Sequence, residues 1–162
     1  MNYRRDQISL FQGEWRRRAV RGVVLFLGIL LFLPLIVAAE SGELDLREAN
    51  VTAVSFRKTG DTYRFDVTLI HDDEGESGYA NWWQVETLSG EQLGRRTLLH
   101  PHGTREFTRS EMIRVPADIE EVVVRGHDQT HGYGGQAMIV NLRTGESEAV
   151  QQGPEPTDFS DR

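Results

Sequence analysis

The feature that most constrains this chain is an uncharged apolar stretch of 18 residues, from Gly22 to Ala39. A membrane-spanning helix needs about 17–25 apolar residues, whereas the apolar core of a secretory signal has about 7–15. The length therefore favours a retained transmembrane helix. A cleaved export signal is the alternative, because Val37-Ala38-Ala39 has the small residues of a cleavage site. Both interpretations place the rest of the chain outside the cytoplasm.

The charges on either side of this stretch predict its orientation. Residues 1–21 carry six arginines and two acidic residues, so they contribute +4 to the net charge of −7, and the remaining chain carries −11. Arginine-rich flanks stay in the cytoplasm. We therefore expect a basic cytoplasmic leader, an anchor in the inner (cytoplasmic) membrane and a periplasmic or otherwise extracytoplasmic main domain. The acidic body argues against nucleic acid as a partner, because it repels phosphates.

Beyond an acidic linker at residues 40–49, the pattern changes to a period of two that predicts β-strands up to residue 144. Tyr63, Phe65, Val67 and Leu69 alternate with polar residues, which is typical of a half-buried strand. Six further strands are predicted around residues 54–56, 83–87, 92–99, 105–115, 119–125 and 137–142. Turn residues separate them, and no convincing helical period follows residue 45.

Seven short antiparallel strands in one domain, residues 50–144, resemble an immunoglobulin or fibronectin type III sandwich. The resemblance implies an all-β fold of two packed sheets. The Cys–Trp–Cys hallmark of immunoglobulin domains is absent, since the chain has no cysteine, and a different small sandwich or a partly open barrel is the alternative. Residues 145–162 are acidic and contain two prolines, which predicts a disordered tail.

The five histidines all lie at or just after the ends of predicted strands. If the strands alternate up and down, the three histidine-bearing loops emerge at one end of the sandwich. Neutral imidazoles beside carboxylates suit zinc or copper(II). The predicted ligands are His71, His100, His102, His127, His131 and Asp128. A hydrogen-bonded rim without a metal is the alternative.

Adjacent Trp82 and Trp83 must point to opposite faces of a strand. One can fill the core, and the other is then exposed or covered by a neighbouring loop. Because aromatic residues are enriched at binding hot spots, we predict that Trp82, Trp83 and Tyr133 include contacts to a partner.

The motif search favours a non-catalytic role, because hydrolase elbows, phosphate loops and zinc-protease helices are absent from the sequence. We expect an accessory subunit of a larger integral membrane protein complex, for example a respiratory or photosynthetic one. The sandwich would dock on the extracytoplasmic side of that complex. The alternative is an exported zinc or copper carrier or sensor that uses the histidine loops.

Overall fold

The computed structural model describes residues 43–73, 75–155 and 157–162. The chain divides into two units, Met1–Ala39 and Glu40–Arg162, and all described residues belong to the second. The predicted leader and transmembrane segment lie outside the described residues. Within the described part, the chain forms no helix with the length and apolar character needed to cross a membrane.

Eight strands form two antiparallel sheets. The strands are β1 (Asn50–Thr59), β2 (Thr62–Ile70), β3 (Ala80–Glu86), β4 (Gln92–Thr97), β5 (Phe107–Arg114), β6 (Glu121–Asp128), β7 (Gln136–Asn141) and β8 (Ser147–Gln151). The small sheet has the order β1-β2-β5, and the large sheet has the order β4-β3-β6-β7-β8. The all-β sandwich is thereby confirmed, and each of the seven predicted strands overlaps an observed one, but the predicted count of seven is wrong because β8 lies beyond the predicted boundary at residue 144. The immunoglobulin or fibronectin type III likeness stays a prediction.

The main core lies between the two sheets and follows the period-two pattern. In β2 the four apolar residues from Tyr63 to Leu69 are buried, while Arg64 between them is exposed. From the large sheet, the inward residues of three strands pack into the same core: Trp83, Val85, Val122, Val124, Met138 and Val140. Burial of one face of each sheet removes this apolar surface from water, which is the main force that holds the sandwich together.

The predicted disordered tail is ordered in the structure. Residues 147–151 form β8, which pairs antiparallel with β7. Gln152 is buried, and its side-chain amide donates to the carbonyl oxygens of Gly126 (3.3 Å) and Gly134 (2.7 Å). Further on, the Phe159 N–H donates to the Leu88 carbonyl at 2.8 Å. The tail thus first adds β8 to the edge of the large sheet and then packs Phe159 on the outer face of that sheet.

A second apolar cluster explains why the tail is held there. Val123, Ala137 and Ile139 point outward from the large sheet, yet all three are buried. Side chains from the tail, Val150 and Phe159, pack on them together with Leu88. The sequence predicts a disordered tail because the tail is acidic and has few apolar residues of its own. Those few apolar residues are nevertheless held in place, because the sheet supplies the apolar surface on which they pack.

Phe159→Ala should lower the free energy of unfolding of the full chain by about 1–2 kcal/mol, because a half-buried aromatic ring loses its apolar contacts. Urea denaturation in detergent, followed by tryptophan fluorescence, measures the change. Asp161→Asn is the matched control, since Asp161 is exposed on the same segment, and we expect it to leave stability unchanged. Equal stability of the two variants would show that the tail does not cover the sheet.

Candidate functional site

The five histidines lie at one end of the sandwich, as counting strand alternations predicts. At this end Asn50 pairs with Ile70, and Ala80 pairs with Asp128. In the large sheet Trp82, near the start of β3, pairs with Thr97 at the end of β4. We name the four segments that meet here, residues 43–49, 71–79, 98–106 and 127–135, the histidine end.

His71 is 2% exposed and bonds through both ring nitrogens. Its Nδ1 lies 2.7 Å from Asp73 Oδ1, and its Nε2 lies 3.0 Å from the backbone carbonyl oxygen of Arg47. The two contacts join the ring to a carboxylate on its own loop and to the backbone of the linker. His71 is therefore a clamp between the 71–79 loop and the linker, and both of its ring nitrogens are engaged by these contacts.

The Asp73 carboxylate is completely buried and connects three segments. Besides His71, its Oδ1 accepts the Ala80 N–H at 3.1 Å, and its Oδ2 accepts the N–H of His102. An ionised carboxylate is stable in the interior only when paired and hydrogen-bonded, and here three donors meet that requirement. Asp73 therefore joins the 71–79 loop to the start of β3 and to the 98–106 loop.

The last residues of the linker are held by the same end of the sandwich. The Asp72 N–H donates to the Leu46 carbonyl at 2.7 Å. Asn50, which is fully buried, donates to the carbonyls of Asp45 (2.8 Å) and Glu48 (2.7 Å) and accepts the Gln136 N–H at 2.9 Å. Residues 45–49 of the linker are thereby part of the folded domain.

Gly126 makes room for this linker. A Cβ added at Gly126 would lie 2.3 Å from the backbone oxygen of Ala49, a contact that would displace the backbone. Glycine at this position of β6 therefore lets the chain pass close over the large sheet before β1 begins.

His127 belongs to an aromatic stack on the outer face of the large sheet. Its ring lies 4.1 Å from the Trp82 ring at an interplanar angle of 18°, and Tyr133 meets Trp82 edge-on at 5.1 Å. The Arg95 guanidinium lies 3.8 Å from the Trp82 ring centroid. Trp82 is thus covered mainly by its own neighbours and remains only partly exposed.

Burial shifts the acidity of two groups in this stack. Desolvation, with a smaller effect of Arg95, lowers the pKa of His127 below its usual 6.5, although Asp128 opposes the shift. Desolvation and the Glu86 charge raise the pKa of Tyr133 above its usual 10.0. The His127 Nδ1 lies 2.8 Å from Asn81 Oδ1. Both rings are therefore neutral and serve as packing and hydrogen-bonding groups at neutral pH.

A buried polar row continues from this stack across the large sheet. Gln84 Oε1 accepts from Arg95 at 3.0 and 2.6 Å, and its amide donates to Glu86. Glu86 in turn accepts from Arg125, and both side chains are almost fully buried. Sequence analysis missed this row, because outward polar residues on strands ordinarily face water. The sequence did contain a signal for this row. The alternation of side-chain direction along β3 and β6 puts Gln84, Glu86 and Arg125 on the outer face of the large sheet, which the tail covers.

His100 and His102 form a second pair of adjacent rings. Their centroids lie 4.6 Å apart, and the His102 ring stacks on Phe107 at 3.9 Å. Desolvation, followed by the charges of Arg109 and His100, lowers the pKa of His102 below 6.5, although Asp73 opposes the shift. Within the part of the chain that the structure describes, the buried His102 Nδ1 has no hydrogen-bond partner. The structure therefore places two of the predicted ligands side by side.

Asp128 and His131 have a local role in the 127–135 loop. Asp128 is buried, and its Oδ1 accepts the N–H groups of Thr130 (2.7 Å) and His131 (2.6 Å). The His131 Nδ1 lies 3.4 Å from the same oxygen. This arrangement caps the turn and orients the loop. It is the kind of contact that the alternative interpretation, a hydrogen-bonded rim without a metal, predicts.

Among the described residues, no three histidine, aspartate or glutamate side chains are grouped so that they could hold a metal ion. The six predicted ligands are instead divided among the clamp, the aromatic stack, the His100–His102 pair and the loop cap. Zinc or copper binding stays a prediction, for which His100 and His102 are the adjacent pair. Of the predicted partner contacts, Trp83 is fully buried in the core, whereas Trp82 and Tyr133 remain partly exposed.

Asp73→Asn should lower the free energy of unfolding by about 2–4 kcal/mol, because the amide places a donor against buried N–H groups and removes the carboxylate that holds His71. Asp72→Asn is the matched control at the neighbouring position, where the half-buried carboxylate lies 3.9 Å from His71. Urea denaturation of the full chain compares them. A loss at Asp72 as large as the loss at Asp73 would contradict the clamp.

The His127 ring should titrate with a midpoint below 6.5 in NMR spectra of the full chain, because burial disfavours its cation. The unfolded chain then binds this proton more readily. His127 therefore favours the folded state above pH 6.5, and the contribution is lost as the pH falls from 6.5 through the lowered pKa. Trp82→Ala, which removes the stacked ring, should return the midpoint toward 6.5. A midpoint at or above that value in the unmodified chain would refute the assignment.

Comparison with known proteins adds one relative. The chain is 63% identical over 123 residues to a protein of Halomicrobium mukohataei named "Putative lipoprotein". The match covers 75% of this chain and 61% of the relative, so the chain spans about three-fifths of the relative's length. No protein-family model matches the chain, and no solved structure matches it.

Proposed function

We propose that the chain is a membrane-anchored, non-catalytic accessory subunit whose sandwich docks on the extracytoplasmic side of a larger membrane assembly. The name of the relative, a lipoprotein, supports export and attachment to a membrane. The present sequence has no cysteine, so none of its residues can carry a thioether-linked lipid. Residues 22–39 are the apolar segment available for anchoring.

The observation that carries the proposal is the attachment of the linker to the folded domain. The Arg47 carbonyl is bonded by His71, and the Leu46 carbonyl by the Asp72 N–H. Folded structure therefore begins within a few residues of the apolar segment. In the sequence only residues 40–42 separate the apolar segment from the described part of the domain, and so short a connection suits a subunit that packs on a neighbour in the same membrane better than a carrier that must reach distant partners.

The proposed docking surface is the outer edge of the large sheet at β4. Arg95 is exposed there over the ring of Trp82, and Tyr133 is half-buried beside it. Tryptophan, tyrosine and arginine are the residues most enriched at interface hot spots. Because these side chains are already ordered by stacking, little rotamer freedom is lost when a partner binds.

A photo-crosslinking residue at Thr97 tests this surface, since Thr97 is exposed directly opposite Trp82. In native membranes we expect one discrete adduct with a membrane protein that also purifies in equal amount with the full chain. Ser55, exposed on the small sheet, is the control position and should give no such adduct. Purification of the chain alone, without an adduct at Thr97, would refute the accessory role. Bound zinc or copper in that preparation would favour the carrier instead.

A further inference from the structure

We infer that the partner contributes an extended segment that pairs with β4 as an added strand of the large sheet. This inference rests on the docking surface proposed above, and it states how that surface is recognised. β4 (Gln92–Thr97) lies at one edge of the large sheet, where β3 pairs with it on one side. The free side of an edge strand presents unpaired N–H and C=O groups, which are a template for another strand.

The direction of the β4 backbone groups follows from one hydrogen bond at the end of the strand. The Leu98 N–H donates to the Asn81 carbonyl at 2.8 Å, and Trp82 is the register partner of Thr97. Bonded and non-bonded pairs alternate along an antiparallel ladder, so successive residues direct their backbone groups to opposite sides. Leu98 faces β3, and the N–H and C=O groups of Thr97 and Arg95 therefore face away from β3, toward the free side.

These backbone groups are left free by the rest of the described chain. Across residues 43–73, 75–155 and 157–162, no hydrogen bond joins the backbone of Arg95 or Thr97 to another segment. Both residues therefore offer a donor and an acceptor to the free side. They recur at every second residue, which is the spacing at which a neighbouring strand places its complementary groups.

The two arginines of β4 do not shield this free side, because their guanidinium groups are held over the chain's own domain. Arg95 lies 3.8 Å from the Trp82 ring centroid and donates to Gln84 Oε1 at 3.0 and 2.6 Å, and both of these residues are on β3. Arg96 donates to the Glu111 carboxylate of β5 at 3.4 Å. Charged side chains, proline and bulges are common protections of an edge strand. β4 contains no proline, and its two charged side chains are turned back.

The other edge strands are less suited to receive a partner strand. In β5 the Thr108 carbonyl accepts from the Arg109 side chain at 2.8 Å. In β1 the Val51 carbonyl accepts from the Gln136 side chain at 2.9 Å, and the register shifts between Val51 and Ala53. β8 has five residues and offers the shortest edge of the four. β4 is therefore the edge that we assign to the partner.

The arginines of β4 indicate a strand from another protein and not from a second copy of this chain. Within β4, the antiparallel registers that bond both Arg95 and Thr97 on each copy place either Arg96 opposite Arg96 or Arg95 opposite Arg95. Like charges directly opposite each other destabilise a pair of strands. The segment of the partner therefore carries neutral or acidic side chains at these positions.

Proline at Thr97 tests the inference, because its ring replaces an N–H that faces the free side, an orientation that edge strands tolerate. Thr97→Val is the matched variant, since it is β-branched and keeps the N–H. The unmodified full chain and both variants are purified from native membranes in mild detergent, and the co-purifying membrane protein is quantified per chain. We expect Thr97→Val to retain roughly tenfold more of it than Thr97→Pro, because proline removes one ladder hydrogen bond and obstructs the approach of a strand.

Two measurements show that the contrast comes from the free side of β4. In NMR spectra of the isolated full chain, the Leu98 amide should exchange equally slowly in both variants, since its bond to Asn81 is kept. Arg95→Pro and Arg95→Ala form a second pair, in which both variants lose the arginine and one of them also loses the N–H. The same contrast is expected between them, so a local defect of Thr97→Pro does not decide the result.

The outcomes separate this inference from the accessory role. If the proline variants retain as much partner as their matched variants, strand pairing is refuted and the accessory role stands. If the unmodified chain purifies alone, the accessory role itself is refuted and strand pairing fails with it. If the co-purifying protein is a second copy of this chain, the assignment of the strand to another protein is wrong.

Discussion

The buried carboxylate of Asp73 is the interaction on which the histidine end depends. A negative charge inside a protein requires donors from several directions, and here they come from His71, Ala80 and His102. His71 passes the connection on to the linker through the Arg47 carbonyl. The Asp73–His71 contact therefore connects the point where the chain enters the sandwich with the 98–106 loop.

The two outer faces of the sandwich differ in what covers them. The small sheet presents polar side chains such as Arg64 and Asp66 to solvent, paired at 2.9 Å. The large sheet is covered by the tail, which encloses the Glu86–Arg125 ion pair and stacks Phe159 5.3 Å from the Arg125 guanidinium. Removing one partner of a buried ion pair lowers the stability of a protein. The ion pair is buried because the tail covers it, and the tail is held in part by its contact with Arg125, so each depends on the other. The strip at Trp82 and Arg95 is left partly exposed, and it is the surface at which we propose that a partner docks.

The histidines show how one residue type takes several roles at one end of a fold. His71 is a clamp with both ring nitrogens engaged, His127 is a neutral ring in an aromatic stack, and His102 packs on Phe107 beside His100. The strand order places the histidine-bearing loops at one end of the sandwich, but each imidazole ring is oriented by its own partners. Shared location therefore does not by itself make a ligand set.

Strand positions, the inward residues and the common end of the histidine loops could be predicted from the sequence, because side-chain direction along a strand alternates locally. The apolar stretch at 22–39 and the asymmetric charges likewise predict export without reference to the fold. The order of the tail, the burial of Glu86 with Arg125 and the division of the histidines could not be predicted. Each depends on contacts between segments far apart in the chain: Thr157 with Arg125, and Arg47 with His71. Only the packed sheets bring these groups together, and burial then decides which charges are paired.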